Sequence, residues 1–214
     1  MIDRQKLLSI PINVDKNILL VGCGGIGWHA ATIFVMAGVK HLSLVDYDNI
    51  DWTNLRRLPV SPPKYLGQKK VEVLTDYLRS LERETEIVPF DLYIDEVAIE
   101  RIIAISDSLG YKYDAIVSVV DNDAADKVVL DTCHKYNIKY VRTSYDDSLI
   151  SFCTKSGKIL VTGGNGYSII PSWAGGAYMA ASLAAYLTLC DEYNEIYPTS
   201  FNINNLIKGE VRSD

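Results

Sequence analysis

The chain has 214 residues, enough for one large domain or two small ones, and its 48% apolar and 22% charged residues are ordinary globular usage, which excludes disordered, collagen-like and disulfide-dense classes. Twenty-one basic against 27 acidic residues leave a net charge of −6, so the overall balance gives no support to nucleic-acid binding. No run reaches the roughly 18 apolar residues of a membrane span, and the opening MIDRQKLLSIPIN lacks the apolar centre of a signal peptide, which predicts a cytoplasmic protein.

In chain order, Asn17 to Val21 (NILLV) reads as a buried strand that meets a glycine turn at Gly22 to Gly27 (GCGGIG) and then an apolar helix closing at Gly38. His41 to Val45 is a second strand, ending at Asp46. After an irregular, proline-containing stretch, Lys69 to Arg83 carries apolar residues at helical spacing. A strand at Glu86 to Phe90, a helix over Val97 to Ile105, a strand at Ala115 to Val120 and a helix over Ala124 to Tyr136 follow. Such alternation predicts a mostly parallel sheet with helices on both faces. Tyr140 to Thr143, Ile150 to Thr154 and Lys158 to Thr162 are shorter strand candidates between turn-formers, predicting an antiparallel extension. Gly163 to Gly166 breaks the chain before Trp173 to Cys190, a helix rich in small residues, read as a core helix or a subunit interface. No repeat or flexible linker divides the chain, which predicts a single domain over 1–214.

Gly22, Gly24, Gly25 and Gly27 stand between a strand and a helix, where glycines allow a sharp turn, close approach of a phosphate to the backbone and tight packing of helix on strand. Asp46, at the end of the second strand, is placed to accept ribose hydroxyls. That much fits NAD as well as ATP. The next stretch separates them: Asn54, Arg56, Arg57, Lys69 and Lys70 cluster between the second strand and its helix, and fixed cations there would offset charge developing on ATP phosphates. The plain alternative is a charged surface.

These residues resemble the ThiF/MoeB/HesA family, relatives of the adenylating domain of ubiquitin-activating enzymes. The likeness rests on GCGGIG, VDYDNIDWTNLRR, LGQKKVE and VVDNDAAD, and spans about Asn17 to Cys190. It implies a Rossmann-like doubly wound α/β fold and an ATP-dependent adenylyltransferase that activates the carboxyl terminus of a small ubiquitin-like or sulfur-carrier protein, usually ending in Gly-Gly. It further implies that Asp46 holds the ribose, that Asp48, Asn54, Arg57, Lys70 and Asn122 belong to the nucleotide site, and that Asp121 positions Mg²⁺. The family spacing selects Lys70 over Lys69. In relatives an amino-terminal arginine of the neighbouring subunit reaches the γ-phosphate, which makes Arg4 the candidate in a homodimer. Two positions depart from the pattern: Asp126 stands where many relatives have arginine, and Leu58 where many have glutamine.

Cys23, Cys133, Cys153 and Cys190 form no CxxC pair and read as buried small residues. His29, His41 and His134 show no triad or metal spacing. A catalytically inactive partner or scaffold, an NAD-dependent oxidoreductase, and a small-molecule or tRNA-linked carboxylate substrate stay open as alternatives.

Overall fold

β1 (Asn17–Val21) has no polar face: its last four side chains are buried and divide by parity between two cores. Ile18 and Leu20 pack with Trp28, Phe34, Leu42, Leu44 and Leu74, while Leu19 and Val21 pack with Ile99, Ile102, Ile116 and Val129. A strand apolar on both faces needs cover on both, and the chain supplies it with helices on each side.

The computed structural model describes residue 5 and residues 8–54, 56–60, 62–155 and 173–208. After β1 come α1 (Gly25–Ala37), β2 (His41–Val45), a 3₁₀ turn (Trp52–Asn54), α2 (Pro62–Tyr65), α3 (Lys70–Arg79), β3 (Glu86–Phe90), α4 (Glu96–Ser108), β4 (Ala115–Ser118) and α5 (Asp123–Tyr136). The rest is β5 (Lys139–Asp146), β6 (Leu149–Cys153), α6 (Ala174–Leu189), β7 (Thr199–Asn202) and α7 (Ile203–Lys208). The sheet order is β3-β2-β1-β4-β5-β6-β7. Strands β3 to β5 in that order pair in parallel, and β6 and β7 add antiparallel. The chain winds from β1 out to β3, then crosses to β4 on the other side of β1. That switch leaves a crevice at the carboxyl ends of β1 and β4, where ligands bind in open sheets of this kind.

The expected alternation is present, with shifted ends. α3 stops at Arg79, and Glu82 in the left-handed region (φ 51°) turns the chain toward β3. β4 ends at Ser118, two residues early, although Val119 N still donates to Val21 O at 3.0 Å and its carbonyl lies over the glycine turn. The strand expected at Lys158 to Thr162 and the break at Gly163 to Gly166 lie outside the described residues. β7 and α7 were not foreseen. The four residues of β7 gain strand form from pairing with β6, Ile150 opposite Phe201, and from the Phe152–Phe201 contact at 6.4 Å.

The small residues of α6 are used inside the chain. Gly176, Ala177, Ala180, Ala181, Ala184 and Ala185 are buried against α1 and the β5–β6 face, as the core reading expects. Tyr178 and Tyr186 remain on the outer side.

Candidate functional site

Gly22 opens the turn with φ 104°, and a Cβ there would come within 3.0 Å of the Val119 carbonyl. A Cβ on Gly27 would overlap the Gly22 carbonyl outright, so the start of α1 lies directly on the turn. Gly24 differs: nothing stands within 4 Å of the place its Cβ would take. It is also the N-cap of α1 and lends the helix no side-chain cap, so first-turn amides and the positive helix end face this open space. Gly25 gives room on its other side to Ala177 and to the Arg57 stem, whose Cδ would lie 3.0 Å from a Cβ there.

Asp46 ties this turn to β2. Its Oδ2 accepts from the Cys23 amide at 2.6 Å and its Oδ1 from the Asp48 amide at 2.8 Å. Burial pushes the Asp46 carboxyl above its usual pKa, against the pull of the Lys70 charge and the two amide bonds. Lys70, the first residue of α3, is buried, with Nζ 2.6 Å from Asp48 Oδ2. Its neighbour Lys69 points elsewhere, to the Tyr47 carbonyl at 2.8 Å and Asp91 at 3.0 Å. Backbone bonds clamp the two loops together: Lys70 N donates to Asp48 O at 3.0 Å and Ile50 N to Gln68 O at 2.8 Å. Twenty-two residues of sequence separation between Asp48 and Lys70 thus close into one contact.

Asn54 is buried and its side chain works within its own turn, Oδ1 accepting from the Asp51 amide at 3.2 Å. Its carbonyl accepts from the amides of Arg57 at 3.0 Å and Leu58 at 3.1 Å, which presents Arg57 toward the glycines. Asp121 is exposed beyond β4. The Tyr47 phenol is pushed above its ordinary pKa by Asp48 first, then by burial and by the charge of Asp121. Asn122 caps α5, accepting from Ala124 N at 2.8 Å, and donates to Tyr93 Oη at 3.1 Å. Tyr93 meets Tyr47 edge to face at 5.1 Å. Arg4 lies outside the described residues.

Among the described residues no group of three His, Cys, Asp or Glu side chains could hold a metal. Asp121 therefore fits a hard cation only as one shared with phosphate oxygens, the usual arrangement for Mg²⁺. An open groove of about 730 Å³ is lined by α4 and α5 residues alone, Glu96 and Lys135 among them, and brings none of the candidate residues together.

Sequence reasoning missed His29, which bonds the Arg57 carbonyl at 3.1 Å, because a backbone partner leaves no mark in spacing. It flagged Asp126 without foreseeing its partner. Asp126, on the first turns of α5, pairs with buried Arg142 of β5 and accepts from Ser118 Oγ at 2.6 Å and Tyr140 Oη at 2.8 Å. Burial works against the Arg142 charge, and Asp126 outweighs it. All four cysteines are free and buried, as expected. Burial pushes their thiols up, Cys153 to about 12, so none is a ready nucleophile at neutral pH.

Comparison with known proteins places the chain in a family. The model of the ThiF family matches residues 14–165. The molybdopterin-synthase adenylyltransferase of Escherichia coli (strain K12) is 31% identical over 110 residues, which are 51% of this chain and 41% of that protein. The ubiquitin-like modifier-activating enzyme 5 of Drosophila ananassae is 29% identical over 142 residues, 64% of this chain and 36% of the relative. The chain thus spans less than half the length of these curated relatives. Among solved structures, Escherichia coli MccB with ATP superposes with a TM-score of 0.67 at 22% identity, covering 89% of this chain and 64% of that one, a likeness of fold.

Proposed function

Because the chain belongs to the ThiF family, we propose that it is an ATP-dependent adenylyltransferase that activates the C-terminal carboxylate of a small ubiquitin-like or sulfur-carrier protein. The observation that carries this reading is one connected set of contacts. Arg57 lies on Gly25, Lys70 is held by Asp48, and Asp46 joins Asp48 to the glycine turn. An oxidoreductase has no evident use for two cations there.

In this reading the phosphates lie over the open face of Gly24, toward the amino end of α1. Asp46 accepts ribose hydroxyls with lone pairs its two amide bonds leave over. Lys70 exchanges Asp48 for a phosphate oxygen, and Arg57 and Asn54 take others. The carrier's carboxylate attacks the α-phosphorus. A new P–O bond forms, the bond to the bridging oxygen breaks, and pyrophosphate leaves the acyl-adenylate behind. Arg57 and Lys70 offset the charge that develops on both sides of that exchange, and orientation supplies the rest. Asp121 would hold Mg²⁺ together with the phosphates, and the ion would neutralise further charge. No cysteine is asked to act in this step, consistent with the burial of all four. A cytoplasmic homodimer, with the neighbouring copy's Arg4 at the γ-phosphate, completes the proposal.

Pyrophosphate exchange into ATP, with Mg²⁺ and candidate carriers ending in Gly-Gly, tests it. Carrier-dependent exchange that Lys70→Ala lowers at least a hundredfold is expected. ATP binding indifferent to Lys70→Ala, with no exchange for any carrier, would instead fit a non-catalytic scaffold. Thermal stabilisation by NAD and not by ATP would return the oxidoreductase reading.

A further inference from the structure

His29 lies two residues beyond Gly27 on α1 and is 4% exposed. Its Nε2 is 3.1 Å from the Arg57 carbonyl. A carbonyl can only accept, so Nε2 carries the hydrogen. The ring lies flat on Tyr178 of α6, centroids 3.6 Å apart and planes within 21°, which holds its orientation. Arg57 itself belongs to irregular chain between the 3₁₀ turn and α2. Its amide is held by Asn54, a bond internal to that turn, whereas the His29 bond ties the turn to the helix that begins at the glycines. The side chain then runs over Gly25. Leu58, next in sequence, is buried in the core, so the turn keeps an anchor without the histidine.

An isolated ring N–H among apolar neighbours would cost stability, and an aliphatic side chain would fill the same volume without it. What the imidazole adds is a fixed direction for one carbonyl. From this geometry we propose that His29 is a positioning residue for the proposed adenylation site. It acts through the Arg57 backbone to set where the guanidinium meets the nucleotide's phosphates. The proposal rests on the nucleotide-binding reading above.

The test is a double-mutant cycle in the full chain, reading the Kd of Mg-ATP by calorimetry alongside the thermal midpoint. His29→Leu removes the donor and keeps the bulk, and His29→Gln restores an N–H. Arg57→Ala is the second axis. The proposal expects His29→Leu to weaken ATP binding about fivefold, the scale of one hydrogen bond, and His29→Gln to recover most of it. In the Arg57→Ala background, His29→Leu should change the Kd less than twofold. Should His29→Leu fail to fold, Tyr178→Leu, which frees the ring, enters the same cycle with the same expectation. Equal losses in both backgrounds overturn the proposal, as does an ATP affinity that His29→Leu leaves unchanged while Arg57→Ala weakens it. A parent protein that binds no ATP overturns the reading beneath, and the proposal with it.

Discussion

Gly24 and Gly27 are three residues apart and do different work, which single substitutions separate. At Gly24 the backbone has φ −73° and open space around it, so Gly24→Ala should fold and lose only about 1 kcal/mol, the cost of alanine at an N-cap. The added methyl occupies the face assigned to the phosphates, and ATP affinity should fall about tenfold or more by calorimetry. Gly27→Ala drives a methyl into the Gly22 carbonyl and should cost about 3 kcal/mol or more in urea unfolding. Equal stability losses at the two positions would show that Gly24 has no open face, and a parental ATP affinity in Gly24→Ala would show that the face is not a ligand face. The glycines were legible in sequence because turn chemistry is local. The choice of Lys70 over Lys69 was not local: it came from family spacing, and only the Asp48 and Asp91 partners give it a physical reason.

Two polar contacts between elements set how the sheet holds its helices. Buried Arg142 of β5 pairs with half-buried Asp126 of α5, and removing one partner strands the other's charge. Arg142→Met should therefore cost about 3 kcal/mol or more, and adding Asp126→Asn should regain a large part of it in denaturant titrations. At the opposite end of the strands, Lys16 and Lys139 both reach the carboxyl end of α6. Lys16 donates to Thr188 O at 2.9 Å and Lys139 to Cys190 O at 3.2 Å. Burial, then repulsion from Lys16, brings Lys139 down to about 8. Its folded pKa lies below the unfolded value of 10.5, so the folded chain releases this proton first. The cost is full below about pH 8 and fades as pH rises toward 10.5. Relative to the parent, Lys139→Met should thus gain in thermal midpoint at pH 7 and lose that advantage between pH 8 and 10. Neither contact was readable from sequence, since each joins residues whose proximity exists only once the sheet has formed. The strands and helices themselves were readable, because NILLV and its counterparts must be covered on both faces wherever they lie.

At the scale of the whole molecule, the homodimer proposal makes the site a shared one, and mixing variants tests it. Arg4→Ala and Lys70→Ala should each abolish most exchange activity alone. Refolded or co-expressed together, they should restore up to about a quarter of the parent rate, because half the dimers are mixed and each of those holds one site intact in both respects. No gain on mixing would place Arg4 in its own subunit's site and overturn the shared-site reading, and an Arg4→Ala variant of parental rate would place Arg4 outside the reaction. The parallel core was legible as a whole from alternation alone, whereas β7 was not, being a strand only by virtue of its neighbour. Finally, the four sealed thiols are spread through the body: Cys23 in the glycine turn, Cys133 on α5, Cys153 on β6 and Cys190 after α6. A maleimide or iodoacetamide added to the native protein would consequently react only as each region breathes, making the unaltered chain its own four-point clock of local opening.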